Sequence, residues 1–286
     1  MKVLVTGATG FIGHYVIHEL LRRNIDIVAT NTSRHKASAS DWFGDVQFVE
    51  HTIGEDEENE NLFEKFHQPD LLIHLAWYGL PNYKQLYHFE EVLPKQYTFL
   101  KKLVSQGLTD ITVTGTCFEY GMQEGCLSES MPAIPANPYS LAKHTLMAFL
   151  EEYRKTQPFN LKWTRLFYMY GLGQSQSSLL SQLEAALVRG DASFNMSMGD
   201  QLRDYLPVEK VAENIVNISL QKNITGIINC CSGRPISVRE LAEDYLKKKQ
   251  KNIKLNFGYY PYPDYEPRNF WGDSGLLKQI NYVQSN

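Results

Sequence analysis

The chain has 286 residues, of which 43% are hydrophobic, 12% aromatic and 21% charged. These proportions belong to a folded enzyme-sized chain and exclude disordered, collagen-like and coiled-coil architectures. With 28 Lys and Arg against 32 Asp and Glu, the formal net charge is -4, so no global field draws nucleic acid or an anionic membrane to it.

The first predicted strand is the β-branched run Lys2 to Thr6, followed by a glycine-rich turn and a helical pattern carrying Val16, Ile17, Leu20 and Leu21. Gly7, Gly10 and Gly13 interrupt the apolar start, so it does not read as a signal peptide. A second strand is expected at Ile25 to Ala29, with further apolar runs at Val46 to Val49, Leu71 to Leu75, Ile111 to Thr114, Leu161 to Phe167 and Ile227 to Cys230. Helical patterns lie between most of them, and such alternation predicts an α/β fold with a doubly wound parallel sheet. No run reaches the roughly 18 apolar residues of a membrane span, and the expected location is cytoplasmic. The acidic run Glu55 to Glu60 and the basic run Lys247 to Lys254 read as solvated surface. Tyr259 to Trp271 is expected to be irregular, since Pro261, Pro263 and Pro267 forbid a continuous helix. Cys117, Cys126, Cys230 and Cys231 have no metal-site spacing, and neither do the histidines, so no metal is expected.

Gly7, Gly10 and Gly13 recur at every third position between a strand and a helix. Glycines so placed permit a sharp turn, a close backbone approach to a pyrophosphate and tight helix-to-strand packing, which points to a dinucleotide on the helix N-terminus. Where an acid at the end of the second strand would hold the adenosine ribose, the chain has Asn31, with Ser33 and Arg34 beyond it. An acid would repel a 2′-phosphate, whereas these two side chains can donate to one, so NADP(H) is expected over NAD(H).

Tyr139 and Lys143 are four residues apart after Pro138, on one helix face, where an ammonium is expected to lower the phenol pKa towards neutrality. From here the chain resembles the extended short-chain dehydrogenase/reductase family of nucleotide-sugar epimerases, dehydratases and reductases. The likeness rests on TGATGFIG (Thr6 to Gly13), HLAW (His74 to Trp77), TGTCFEYG (Thr114 to Gly121), PYSLAK (Pro138 to Lys143), RLFYMYG (Arg165 to Gly171), RDYLPVEKVAE (Arg203 to Glu213) and SGRPISVRELAE (Ser232 to Glu243).

The resemblance implies a Rossmann-type domain over 1–170, with returning segments near 205–232, and a small nucleotide-sugar lobe from 171–204 and 233–286. Thr116, Tyr139 and Lys143 would be catalytic. Contacts to the cofactor would come from Gly7, Thr9, Gly10, Phe11, Ile12, Gly13, Asn31, Ser33, Arg34, Thr52, Ile53, Leu75, Ala76 and Trp77, together with Tyr139 and Lys143. Substrate contacts would come from Cys117 and Tyr168, and from Arg203 and Arg268 as diphosphate-gripping arginines. His74 would end a strand beside the cofactor; by position alone, His144 is expected to face solvent and Glu119 to serve as a structural or secondary polar contact.

Departures from the family pattern carry the finer expectation. Family dehydratases place an acidic pair after the catalytic threonine, and here Cys117 and Phe118 stand there, so dehydration is not expected. With NADPH as the consumed cofactor, the expected reaction is reduction of the 4-keto group of a nucleotide-activated 4-keto-6-deoxyhexose. The alternatives are a nucleotide-sugar 4-epimerase and a non-catalytic NADP-binding regulator. The family also implies a possible homodimer, and the short lobe suits a compact deoxysugar.

Overall fold

A computed structural model describes all residues except 56–58, 263, 265, 285 and 286. The first and third groups remove part of the expected acidic surface run and the chain end, and Pro263 of the expected irregular stretch also lies outside the described residues.

The main sheet contains seven strands, β1 Lys2–Thr6, β2 Asp26–Asn31, β3 Gln47–Glu50, β4 Leu71–His74, β5 Asp110–Thr116, β6 Asn160–Leu166 and β7 Gly226–Cys230. Their spatial order is β7-β6-β5-β4-β1-β2-β3, and every pairing is parallel. This is the doubly wound order in which the reversal between β1 and β4 opens a crevice at the carboxyl ends of the strands. The expected fold is therefore observed. Among the longer helices are α1 Phe11–Arg22, α2 Leu93–Ser105, α3 Pro138–Arg154, α4 Leu179–Arg189, α5 Val208–Leu220, α6 Val238–Lys249 and α7 Gly275–Gln284.

Alternation along the strands divides the core. Leu4, Val28, Leu72 and Val113 pack under α2 and α3 against Phe99, Leu103, Leu146 and Leu150. Val3, Val5, Ile27, Ala29 and Ile73 point to the other face, against Val16, Ile17 and Leu20 of α1 and Val211 and Ile215 of α5. Side chains two apart share a face and neighbours oppose, as a pleated strand requires. Each such buried Leu, Ile or Val contributes about 1.5–3 kcal/mol.

A third cluster packs Leu180, Leu183 and Ala186 of α4 against Val238, Leu241 and Leu246 of α6, with Phe194 and Met196 between them. Two details differ from the sequence reading. The segment around Tyr205 to Val208 was expected to rejoin the main sheet, but Leu202–Pro207 instead forms a separate three-stranded sheet with Tyr168–Tyr170 and Pro235–Ser237, and Val208 opens α5. Within 233–286, α7 returns to the sheet side, where Leu277 and Ile280 pack on Ile218 and Ile228. The irregular stretch ends in the strand Phe270–Gly272, paired with Gly125–Leu127. Among the described residues no helix is long and apolar enough to cross a membrane.

Candidate active site

The glycine turn leaves β1 with Gly7 at φ +69°, a backbone that L side chains rarely adopt. A β-carbon there would also stand 3.0 Å from the Ala76 nitrogen. At Gly13 a β-carbon would lie 2.2 Å from the Gly7 carbonyl oxygen, so α1 can approach the turn only without one. Gly10 caps α1 with no side-chain hydrogen bond, and the first turn holds no acid. The opening N–H groups of α1 therefore face the crevice at the positive end of the helix. Beside them the Thr9 hydroxyl is buried without a partner among the described residues. An uncapped helix start, a turn that excludes β-carbons and an orphaned hydroxyl fit a dinucleotide pyrophosphate.

The neighbouring turn is tied to this cradle. Thr6 Oγ1 lies 2.9 Å from His74 Nδ1, and His74 Nε2 lies 2.7 Å from Gln96 Oε1. The arrangement that satisfies every member has Nε2–H donating to Gln96 and the Thr6 hydroxyl donating to Nδ1. Thr6 Oγ1 then accepts the backbone N–H groups of Leu75 and Ala76, at 3.2 and 3.3 Å. Burial, followed by the nearby Lys143 charge, lowers the His74 pKa to about 3, so the ring stays neutral and serves as a strut. His144, expected at the surface, is half-buried, with Nδ1 enclosed and without a hydrogen-bond partner among the described residues.

The residues expected to react converge at the carboxyl end of β5. Thr116 ends the strand and Tyr139 and Lys143 come from α3, which Asn137 caps by accepting the Ser140 N–H at 2.9 Å. All three are buried, and the Thr116 side chain lies near enough to the Tyr139 phenol to favour its ionised form. Lys143 Nζ donates to the Thr114 carbonyl at 2.7 Å and lies 4.1 Å from the centroid of the Trp77 ring. Trp77 is held in turn by its Nε1–H, which donates to His88 Nδ1 at 3.1 Å. Tyr83 and His88 pack their rings 5.5 and 5.3 Å from that of Tyr139.

The expected lowering of the Tyr139 pKa is not observed. Burial raises it well above 10, Tyr83, Glu119 and Cys117 add to the rise, and the neighbouring Thr116 side chain opposes it. Burial likewise lowers Lys143 to about 7. The physical reason is that the amine is aimed at a carbonyl and an indole face rather than at the phenol, so desolvation decides both groups.

On the lobe side, Cys117 packs with Phe118, Tyr139 and Phe167, and burial, then Glu266, pushes its thiol up. Arg203 differs from the open phosphate grip expected. It is 2% exposed, pairs with Glu266 Oε1 at 2.9 Å and donates to the carbonyls of Leu202 and Arg268 at 2.8 and 2.7 Å. The Tyr168 hydroxyl donates to the other Glu266 oxygen. Arg268 is exposed and donates to Asp200 at 2.6 Å and to the Tyr262 hydroxyl at 3.1 Å. Two cavities flank this cluster. One, of about 570 Å³, is lined by Arg203, Glu266, Phe194 and Tyr260, and the other, of about 700 Å³, by Tyr83, Tyr168, Tyr170 and Gln174.

Residues 3–231 match the NAD dependent epimerase/dehydratase family. The chain belongs to that family. Among its relatives, the dTDP-6-deoxy-L-talose 4-dehydrogenase (NAD(+)) of Aggregatibacter actinomycetemcomitans is 28% identical over 95% of this chain and 99% of its own. The GDP-6-deoxy-D-talose 4-dehydrogenase of the same organism is 29% identical over 90% and 83%. In fold, the chain resembles UDP-glucuronic acid 4-epimerase from Bacillus cereus, solved with UDP-glucuronic acid and NAD, with a TM-score of 0.81 at 22% identity over 98% and 92% of the two chains.

The preference for NADP(H) finds no support in this family member. The Arg34 guanidinium donates to the Phe48 carbonyl at 2.9 Å and lies over the Phe48 and Phe43 rings at 5.2 and 5.9 Å. Ser33 accepts the Lys36 N–H at 3.1 Å as a helix cap. Asn31 turns onto Thr32, accepting its N–H at 2.8 Å, and lies in register with Glu50, whose carboxylate accepts the Arg34 N–H at 2.7 Å. Thr52 and Ile53 follow β3 at the same edge. The strand end expected to face the adenosine thus carries a carboxylate that sequence position alone did not reveal, because it comes from the neighbouring strand. Gln96, His88 and Glu266 were missed for the same reason, each lying far in sequence from its partner.

Proposed function

We propose that the chain is an NAD(H)-dependent oxidoreductase that interconverts the C4 keto and hydroxyl groups of a nucleotide-activated 6-deoxyhexose. The observation that carries this reading is the meeting of Thr116, Tyr139 and Lys143 at one strand end, with the non-acidic, buried Cys117 and Phe118 in the two positions that follow. The printed activities of the two talose 4-dehydrogenase relatives support it.

In the reductive direction, Tyr139, whose phenol burial keeps protonated, donates its proton to the ketone oxygen while Thr116 hydrogen-bonds the same oxygen. In the oxidative direction both transfers reverse. A bound nicotinamide would supply the hydride to C4 in the first direction and accept it in the second. Gly7, Thr9 and Gly13 with the start of α1 would hold its pyrophosphate, and Lys143 its ribose. With its thiol pushed up and enclosed, Cys117 acts as packing rather than as an acid. NAD(H) is supported by Arg34 being spent on Phe48 and by Glu50 repelling a 2′-phosphate. The segments 171–204 and 233–274 would bind the nucleotide sugar, with Tyr168 at its sugar end.

A 4-epimerase is the second reading, favoured by the cavity of about 700 Å³ beside Tyr168, which gives a keto sugar room to turn. Purified protein mixed with NAD⁺ and dTDP-6-deoxy-L-talose, and separately with GDP-6-deoxy-D-talose, decides between them. Stoichiometric NADH formation is expected. Conversion of UDP-glucose to its C4 epimer without net NADH would establish the epimerase instead.

A further inference from the structure

Behind the reacting groups lies a buried ion pair that takes no part in proton or hydride transfer. Glu119 and Arg165 expose 0% and 1% of their side chains and meet at 3.0 Å through Arg165 Nε. Such a pair is costly to bury, and apolar residues of the same volume would serve packing equally well or better. Its geometry is directed at Thr116. Glu119 Oε1 accepts the Thr116 peptide N–H at 2.9 Å, and the carboxylate also accepts Trp163 Nε1–H at 2.9 and 3.1 Å. On the other side, Thr116 Oγ1 accepts the Phe118 N–H at 3.3 Å, which closes a reciprocal cap around the turn.

The surroundings are built to admit this carboxylate. A β-carbon at Gly115 would lie 2.4 Å from Glu119 Oε1 and 2.2 Å from Trp163 Nε1, so only glycine lets the acid reach under the strand end. The Arg165 guanidinium lies 4.3 Å over the Tyr120 ring, and the Tyr120 hydroxyl donates to Asn229 at 2.8 Å. The acid is thus braced by β6 and β7 while its free edge faces Thr116.

We propose that Glu119, braced by Arg165, is a positioning residue that anchors the Thr116 peptide and so fixes the Thr116 hydroxyl against Tyr139. The proposal rests on the reading of Thr116, Tyr139 and Lys143 as the reacting groups. Its consequence is that residue 119 governs turnover by holding Thr116, beyond the through-space effect of its charge on Tyr139 and Lys143, and without contact to sugar or cofactor.

The test uses the full chain with NAD⁺ and dTDP-6-deoxy-L-talose in a double-mutant cycle. E119L/R165M removes both charges together, so no charge is stranded. It is expected to lower kcat by roughly 10- to 100-fold with KM within about threefold. E119Q/R165M, which keeps an oxygen for the Thr116 N–H, is expected to recover to within about fivefold of wild type. In a T116A background the E119L/R165M change is expected to cost less than about twofold, because the group it positions is gone. An equal loss in both backgrounds, or wild-type kcat in E119L/R165M, overturns the proposal. E119D keeps both charges but withdraws the carboxylate, and it gives the same cycle in a chain that retains the pair if the apolar variant does not fold.

Amide hydrogen exchange separates this idea from the reading it rests on. Protection of the Thr116 N–H is expected to fall selectively in E119L/R165M while Ile111 to Thr114 keep theirs, whether or not the wild type turns over this sugar. Unchanged protection at Thr116 overturns the proposal. Absence of wild-type turnover with every nucleotide sugar overturns only the proposed function.

Discussion

Replacing Lys143 by methionine tests the electrostatics of the site through stability rather than activity. Lys143 is 2% exposed, and burial lowers its pKa from 10.5 to about 7. Between those values the folded chain holds the amine neutral while the unfolded chain holds it charged, so the folded state binds fewer protons and loses stability as pH falls. At about 1.4 kcal/mol per pH unit the penalty is about 5 kcal/mol below pH 7 and tapers to nothing above pH 10.5. Methionine preserves the length of the chain and removes the penalty. It forfeits the 2.7 Å hydrogen bond to Thr114 and the 4.1 Å contact with Trp77, together about 2 kcal/mol. The net is a gain of about 3 kcal/mol at pH 6, a crossover near pH 9 and a loss of about 1 kcal/mol at pH 10. At roughly 2 °C per kcal/mol for a chain of this length, K143M should melt about 6 °C higher than wild type at pH 6. Thermal unfolding followed by intrinsic fluorescence at pH 6, 8 and 10, without added cofactor, measures it. No rise at pH 6, or the same rise at all three values, would refute the reasoning.

Three further substitutions address the proposed cofactor cradle and the proposed proton donor. Y139F removes the proton donor but keeps the ring packing of Tyr83 and His88, so kcat should fall by about 10²- to 10⁴-fold while NADH affinity in a fluorescence titration stays within about twofold; full turnover would remove Tyr139 from the reaction. G13A forces a β-carbon to within 2.2 Å of the Gly7 carbonyl, and cofactor affinity should drop at least about tenfold as the turn opens away from α1. Isothermal titration that finds wild-type NAD⁺ binding in G13A would place the pyrophosphate elsewhere. R34A should change the KM values for NADH and NADPH by the same factor, because the guanidinium serves Phe48 rather than a phosphate, and a selective loss with NADPH would restore the expectation drawn from the sequence.

Much of the frame was legible because it depends on short-range pattern. Glycines at 7, 10 and 13 between a β-branched run and a helical one leave a single reading, and the structure places the crevice at that turn. The unbroken apolar run Val3, Leu4 and Val5 likewise fits a strand buried on both faces. What pattern cannot state is which sheet a strand joins. The segment around Tyr205 to Val208 reads as a strand returning to the main sheet, yet Leu202–Pro207 pairs with Tyr168–Tyr170 and Pro235–Ser237, and α7 leaves the lobe for the sheet because Leu277 and Ile280 find Ile218 and Ile228 there.

The site was legible to the extent that its chemistry is local. Tyr139 and Lys143 stand on one helix face, as their spacing requires, but spacing does not aim a four-carbon stem. The Lys143 amine turns to Thr114 and Trp77, desolvation outweighs mutual attraction, and the phenol is raised where the sequence argument had it lowered. The same holds for the carboxylates. Glu119 reaches Arg165 across 46 residues and Glu266 reaches Tyr168 across 98, so neither pairing leaves a periodic trace. The features that sequence could not supply, burial and long-range pairing, are therefore the ones that keep the Tyr139 phenol protonated and depress the Lys143 amine.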